Sequence, residues 1–142
     1  MNTVSEAIAA ANVLGINVTS DREVVLKVRG GLPSRALRNV SKKLNVTHPI
    51  LASALNIPER TLMRRFKAKT LPQSESDRLY RIARILHSAT DAIGTEQNAA
   101  RWMLEENRAL GNVVPLQLLD TEAGAREVET VLGHIRYGDT FV

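Results

Sequence analysis

Apolar residues recur at helical spacing along nearly the whole chain, and the breaks fall at glycine, proline and asparagine. The pattern is sharpest in residues 47–69, THPILASALNIPERTLMRRFKAK. Ile50, Leu51, Ala54 and Leu55 form the stripe of a first short helix, which Thr47 is placed to cap and whose first turn accepts Pro49. A second helix over residues 58–67, at about 100° per residue, puts Leu62 and Phe66 on one face and Arg60, Arg64 and Lys67 on the other. Between them, Asn56 is one of the few non-glycine residues that enter the left-handed conformation at low cost, so it makes the corner. Two short helices about a tight corner, the second with one apolar and one basic face, predict a helix-turn-helix. Arg60, Thr61 and Arg64 are then expected at base edges in the major groove, and Arg65, Lys67 and Lys69 nearer phosphates. Arg65 sits at the margin of the apolar face.

The rest of the chain reads as helix too. Residues 5–14 are Ala-rich and form either a short helix closed by Gly15 or a flexible arm. Asp21 is a candidate cap for a helix with Val24, Val25 and Val28 on its apolar face, ending at Gly30-Gly31. That β-branched run also suits a strand, but nothing else in the chain offers a strand to pair with. Pro33 or Ser34 opens the next helix, with Leu37, Val40 and Leu44 inside and Arg35, Arg38, Lys42 and Lys43 outside. Ser74 and Asp77 resemble a capping box at the start of the longest helix, whose buried stripe is Leu79, Ile82, Ala83, Leu86 and Ala89. Arg78, Arg81 and Arg84 stand on another side of it, either reaching phosphates or simply solvated.

Gly94-Thr95 ends that helix and caps another, in which Ala99, Trp102 and Met103 turn inward, with Trp102 expected to anchor the core of the second half. Residues 107–112 read as a loop and 115–119 as one helical turn. Asp120 or Thr121 then caps a last helix with Ala125, Val128, Leu132 and Ile135 on one face. Gly133 inside that helix costs about 1 kcal/mol relative to Ala, which predicts a close approach by another helix there. The fold class expected is all-α: an N-terminal arm over 1–20, a helix-turn-helix domain over 21–92, and a small helical domain over 93–142 with a C-terminal tail.

Charge divides the chain in two. Residues 1–93 hold 15 Lys and Arg against 7 Asp and Glu, whereas residues 94–142 hold 4 against 8. A basic front releases counterions from DNA, while an acidic back repels phosphate and suits a protein partner. With no cysteine, disulfides and thiolate metal sites are excluded. The longest apolar stretch, residues 7–18, is interrupted by Asn12 and Asn17 and is shorter than the ~20 residues of a membrane span, so a cytoplasmic protein is expected. His48, His87 and His134 lie on separate helices without metalloprotease spacing, and no phosphate-cradling glycine loop is present. Neither an enzyme, nor a cofactor, nor a small-molecule substrate is expected.

The chain ends Arg136-Tyr137-Gly138-Asp139-Thr140-Phe141-Val142, a segment that either folds back on the core or anchors a partner. The order of motifs resembles the Xre/ParS/MbcA-type antitoxins that pair with RES-domain toxins. The matching residues are Gly31-Leu32-Pro33, Arg60-Thr61-Leu62 with Arg64-Arg65, Glu75-Ser76-Asp77-Arg78-Leu79 with Arg81, and Trp102-Met103 followed by Asn107. They continue through Leu110-Gly111, Pro115-Leu116, Leu118-Leu119 and Thr121-Glu122 to the stretch from Gly133 to Gly138. The resemblance covers about residues 22–140, and the ordered series carries it. It implies a helix-turn-helix that represses its own operon and a C-terminal portion that lies across the NAD pocket of a toxin that consumes NAD or transfers ADP-ribose. Carried over, Ile135, Arg136, Tyr137 and Gly138 meet the toxin, with Asp139 and Phe141 in the more variable tail. Pro58 departs from the pattern, since a Ser or Thr cap is common there. A homodimer on operator DNA is expected, because single helix-turn-helix units bind weakly. The different class kept beside this one is a free-standing transcription regulator with a dimerising or ligand-sensing C-terminal part.

Overall fold

A computed structural model describes residues 4–138. Among them, eight α-helices follow in order: α1 (Glu6–Leu14), α2 (Asp21–Gly30), α3 (Ser34–Leu44), α4 (His48–Ala54), α5 (Glu59–Arg65), α6 (Gln73–Ile93), α7 (Glu96–Met103) and α8 (Glu122–Arg136). Single 3-10 turns at Arg108–Leu110 and Pro115–Leu118 join α7 to α8.

The molecule is built around α6. Leu79, Ile82, Ala83, Ile85, Leu86 and Ala89 are all fully sealed from solvent, and these positions cover more than one stripe of a helix. A helix apolar over that much of its circumference needs neighbours on several sides, and α6 has them in α1, α2, α3, α7 and α8. One continuous core results, running from Ala10 and Leu14 in α1 through Leu37, Leu55 and Leu62 to Leu116, Val128 and Leu132.

Local signals explain most boundaries. Ser5, Ser20, Thr95 and Thr121 each accept a backbone N–H in the first turn of the helix they precede. Gly15 closes α1 in the left-handed region at φ 77°.

Several expectations are corrected. Residues 6–14 are no loose arm: Ala10, Ala11 and Leu14 are sealed in the core, and Asn39 Nδ2 donates to the Leu14 carbonyl at 2.9 Å. Ser20 rather than Asp21 caps α2, and Val25 faces solvent while Val24 turns inward. Ser74 and Asp77 form no capping box, because α6 begins earlier, at Gln73 after Pro72, and Asp77 pairs with Arg81 instead. Thr47 occupies the position before α4 without a side-chain capping bond. Met103 takes the sealed place in the second half while Trp102 is half-buried.

The close approach expected at Gly133 is absent there and present at Gly124. A Cβ at Gly133 meets nothing within 4 Å, whereas one at Gly124 falls 1.9 Å from the Leu118 carbonyl oxygen. What decides this is where the turn at Pro115–Leu118 crosses the first turn of α8, a tertiary fact with no local signature.

Candidate nucleic-acid and protein interfaces

The corner between α4 and α5 is made as its residues dictate. Asn56 sits at φ 58°, and the N–H groups of Asn56 and Ile57 close the end of α4 by bonding the carbonyls of Ser53 and Ala52, each at 3.0 Å. Leu51, Leu55 and Leu62 pin both helices to the core. Pro58 stands before α5 with no side-chain cap, so the helix starts at Glu59 and the proline supplies only its fixed φ of −63°.

Leu62 turns inward, so the opposite side of α5 faces out. Arg60 and Arg64 are exposed on it, as are Lys67 and Lys69 just beyond its end. Thr61 is half-buried between them, and its hydroxyl accepts a long 3.4 Å bond from Arg64 Nη2. Among the described residues no carboxylate pairs with Arg60, Arg64, Lys67 or Lys69. An exposed set of cations without internal partners is free to meet an anion.

Arg65 is placed differently. Its Nε and Nη2 donate to the two carboxylate oxygens of Glu75 in α6, at 2.6 and 3.0 Å. The fork is bidentate and largely enclosed, with the Glu75 side chain 9% exposed. Arg65 therefore faces the protein, apart from the exposed cations expected beside it.

The arginines of α6 do neither of the things expected of them. Arg78 donates to the Leu55 carbonyl at 3.2 Å, at the end of α4. Arg81 donates to the Leu119 carbonyl at 3.1 Å and to Glu122 at 3.2 Å. Arg84 meets Glu122 at 3.0 Å, Glu129 at 3.4 Å and Glu6 at 3.4 Å. These side chains join α6 to α1, to the helix-turn-helix and to α8. Burial alone pushes the Glu122 carboxyl up, but hydrogen bonds and charge from Arg84 and then Arg81 outweigh it and hold that carboxyl below its ordinary range. Glu129, with burial dominant and Glu6 and Glu122 close by, is pushed above it.

At the far end, α8 runs out into solvent. Ile135 is 39% exposed and Tyr137 75% exposed, and Gly138 turns the chain at φ 71°. Arg136 reaches Asp91 at 3.4 Å, an exposed and weak pairing. Ile135, Arg136, Tyr137 and Gly138 thus form one exposed end, while Asp139 and Phe141 lie outside the described residues.

His48 packs against the Phe66 ring with centroids 5.3 Å apart, and His87 sits 3.7 Å from Asp91 on the surface. Among the described residues no group of three or more His, Cys, Asp and Glu is arranged to hold a metal, and no helix is long and apolar enough to cross a membrane. A surface hollow of about 470 Å³ beside α3 and α7 is lined by Lys42, Lys43, Asn45, Gln97 and Arg101, without a carboxylate or histidine.

Residues 23–84 match the family described as the antitoxin Xre-like helix-turn-helix domain, and residues 88–138 match that described as the antitoxin Xre/MbcA/ParS C-terminal toxin-binding domain. A protein of Pseudomonas putida named antitoxin Xre is 30% identical over 122 residues, which cover 85% of this chain and 76% of that one. The chain belongs to the Xre/MbcA/ParS antitoxins. An antitoxin Xre of Yersinia enterocolitica is 27% identical over 128 residues, 88% of this chain and 86% of its own length. One of Photorhabdus laumondii is 42% identical over 65 residues, and there the alignment takes in 44% of the relative's length. In fold, the antitoxin is similar to a chain of the M. tuberculosis MbcT–MbcA toxin–antitoxin complex, with a TM-score of 0.57 and 20% identity, over 77% of this chain and 96% of that one. In the antitoxin, α4 and α5 fall within the helix-turn-helix match, and the exposed end of α8 lies within the toxin-binding match.

Proposed function

We propose that this antitoxin neutralises a RES-type toxin, one that degrades NAD or transfers ADP-ribose, by laying its C-terminal segment over the toxin's active site. The observation that carries the proposal is the end of α8. Tyr137 stands 75% exposed at the C-terminal cap of α8, inside the toxin-binding match, with the exposed Ile135 two residues before it. A large aromatic side chain held out at a helix end is an anchor for a partner's pocket, since its burial there costs little conformational entropy. Among the described residues Arg136 pairs with the exposed Asp91, a weak contact that it can exchange for an acidic group on the toxin. The acidic balance of residues 94–142 matches a protein partner rather than a nucleic acid.

The same molecule, in this proposal, represses its own operon through α5. Arg60, Thr61 and Arg64 are assigned to base edges and Lys67 and Lys69 to phosphates, with two copies of the chain on the operator. Arg65 is left out of the contact set because Glu75 already occupies it. The antitoxin is not itself a catalyst and needs no cofactor to do either job.

Co-expression with the product of the neighbouring gene tests the proposal. The full chain is expected to co-purify with it and to silence NAD consumption, and a chain ending at residue 135 to release that activity. Full neutralisation by the shortened chain would show that the end of α8 is not the plug. A protein that binds the upstream DNA but no neighbouring gene product would be a free-standing regulator instead.

A further inference from the structure

We infer that Glu75 is a positioning residue for DNA recognition: it holds the recognition helix α5 at its working angle through Arg65 while touching no DNA itself. This inference rests on the reading of α5 as the helix that meets DNA.

The first turns of α6 hold each part of the helix-turn-helix by a different side chain. Glu75 takes Arg65 at the end of α5 in a two-bond fork. Ser76, fully buried, accepts the Leu32 N–H at 2.8 Å, at the junction of α2 and α3, and donates to the Leu71 carbonyl at 3.4 Å. Arg78 takes the Leu55 carbonyl at the end of α4. Leu55 and Leu62 supply burial, which sets depth but tolerates rotation. A planar fork between guanidinium and carboxylate is directional, so it fixes the roll of α5 about its own axis, and with it the direction in which Arg60 and Arg64 point. Glu75 is itself held where a carboxylate is favoured, in the first turn of α6.

An anion behind a DNA-binding helix is, by charge alone, a liability. Removing it should tighten binding to a polyanion. The positioning role predicts the opposite sign, and this is what separates it from a direct role for Arg65. If Arg65 were a phosphate ligand restrained by Glu75, freeing it would strengthen binding as well.

The test uses full-length wild type, E75Q, R65Q and the double variant, titrated at several salt concentrations against two labelled duplexes. One spans the region immediately upstream of this chain's own coding sequence, and the other has the same composition in scrambled order. E75Q and R65Q are each expected to bind the upstream duplex about tenfold more weakly, in line with loss of a bond between charged groups. The double variant should be no weaker than either single one. The salt slope should stay unchanged, because no phosphate contact is lost, and preference for the upstream duplex should fall toward the scrambled one. Co-purification with the toxin is expected to persist, which separates positioning from general destabilisation. E75Q binding as tightly as wild type or more tightly overturns the inference, as does a slope for R65Q lower by about 0.9, the value of one phosphate. Should E75Q fail to fold, R65Q carries the same test. Wild type that distinguishes neither duplex from buffer overturns the DNA reading itself, and the inference with it.

Discussion

Two glycines in one helix should respond to the same substitution with opposite signs. Alanine at either position gains helix propensity, about 1 kcal/mol in an exposed helix interior. At Gly133 the added methyl meets nothing within 4 Å, so G133A is expected to stabilise by about 0.5–1 kcal/mol, roughly 2–4 °C in a chain of this size. At Gly124 the methyl carbon would fall 1.9 Å from the Leu118 carbonyl oxygen and 2.8 Å from its carbon. Ordinary contacts lie near 3.5 Å, so backbone must move by roughly 1.5 Å, since no flexible side chain is there to yield. Overpacking costs about 1–3 kcal/mol or more, and a clash with backbone this short puts G124A in the upper part of that range, about 2–3 kcal/mol, so with the propensity gain of about 1 kcal/mol subtracted it should lose about 1–2 kcal/mol. The shift also draws Glu122, two residues away, from Arg81 and Arg84. Urea unfolding followed by circular dichroism reads both variants against wild type. G124A as stable as wild type, or G133A less stable, would refute this account of how α8 seats on the turn before it.

The pH dependence follows from two of the three carboxylates facing Arg84, Glu122 and Glu129. Glu122, held low, contributes stability that is present above the ordinary carboxylate range and lost as pH falls through its lowered value; Glu129, pushed up, contributes stability present at low pH and lost as pH rises through its raised value. E122Q should thus lower the urea midpoint at neutral pH and E129Q raise it, and the two curves should converge in acid; parallel curves would count against this assignment. At the corner of the helix-turn-helix, N56G should leave stability within about 1 kcal/mol of wild type, while N56V should lose more, since a β-branched residue resists a φ of 58°. Replacing Lys67 and Lys69 by Ala should flatten the salt slope for the upstream duplex by about two phosphates, whereas replacing Arg60 and Arg64 by Ala should abolish the preference for that duplex, with toxin binding kept in both; joint loss of DNA and toxin binding would deny the division of labour.

Periodicity alone settles what a helix needs from its own neighbours in the chain. The helices, the corner at Asn56, the cap at Thr95 and the outward face of Arg60 and Arg64 were legible for that reason, and the cap of α8 was narrowed to Asp120 or Thr121: each depends on residues within a turn or two. The same local chemistry does not reveal which distant group an arginine will meet. Arg65, Arg78, Arg81 and Arg84 look alike on a helical wheel as surface cations, yet the fold turns them toward Glu75, Leu55, Leu119 and Glu122. Residues 75–81 stood out in the sequence as part of a resemblance; partners distant in the chain, such as Glu122, 41 residues from Arg81, explain what they do. The N-terminal helix shows the same division. Its alanines predicted a helix, but only the breadth of the apolar surface on α6 made room for it in the core. Sequence thus determined the elements and their exposed chemistry, and tertiary structure decided which charges became ties and which stayed free, because an ion pair is set by where two helices cross.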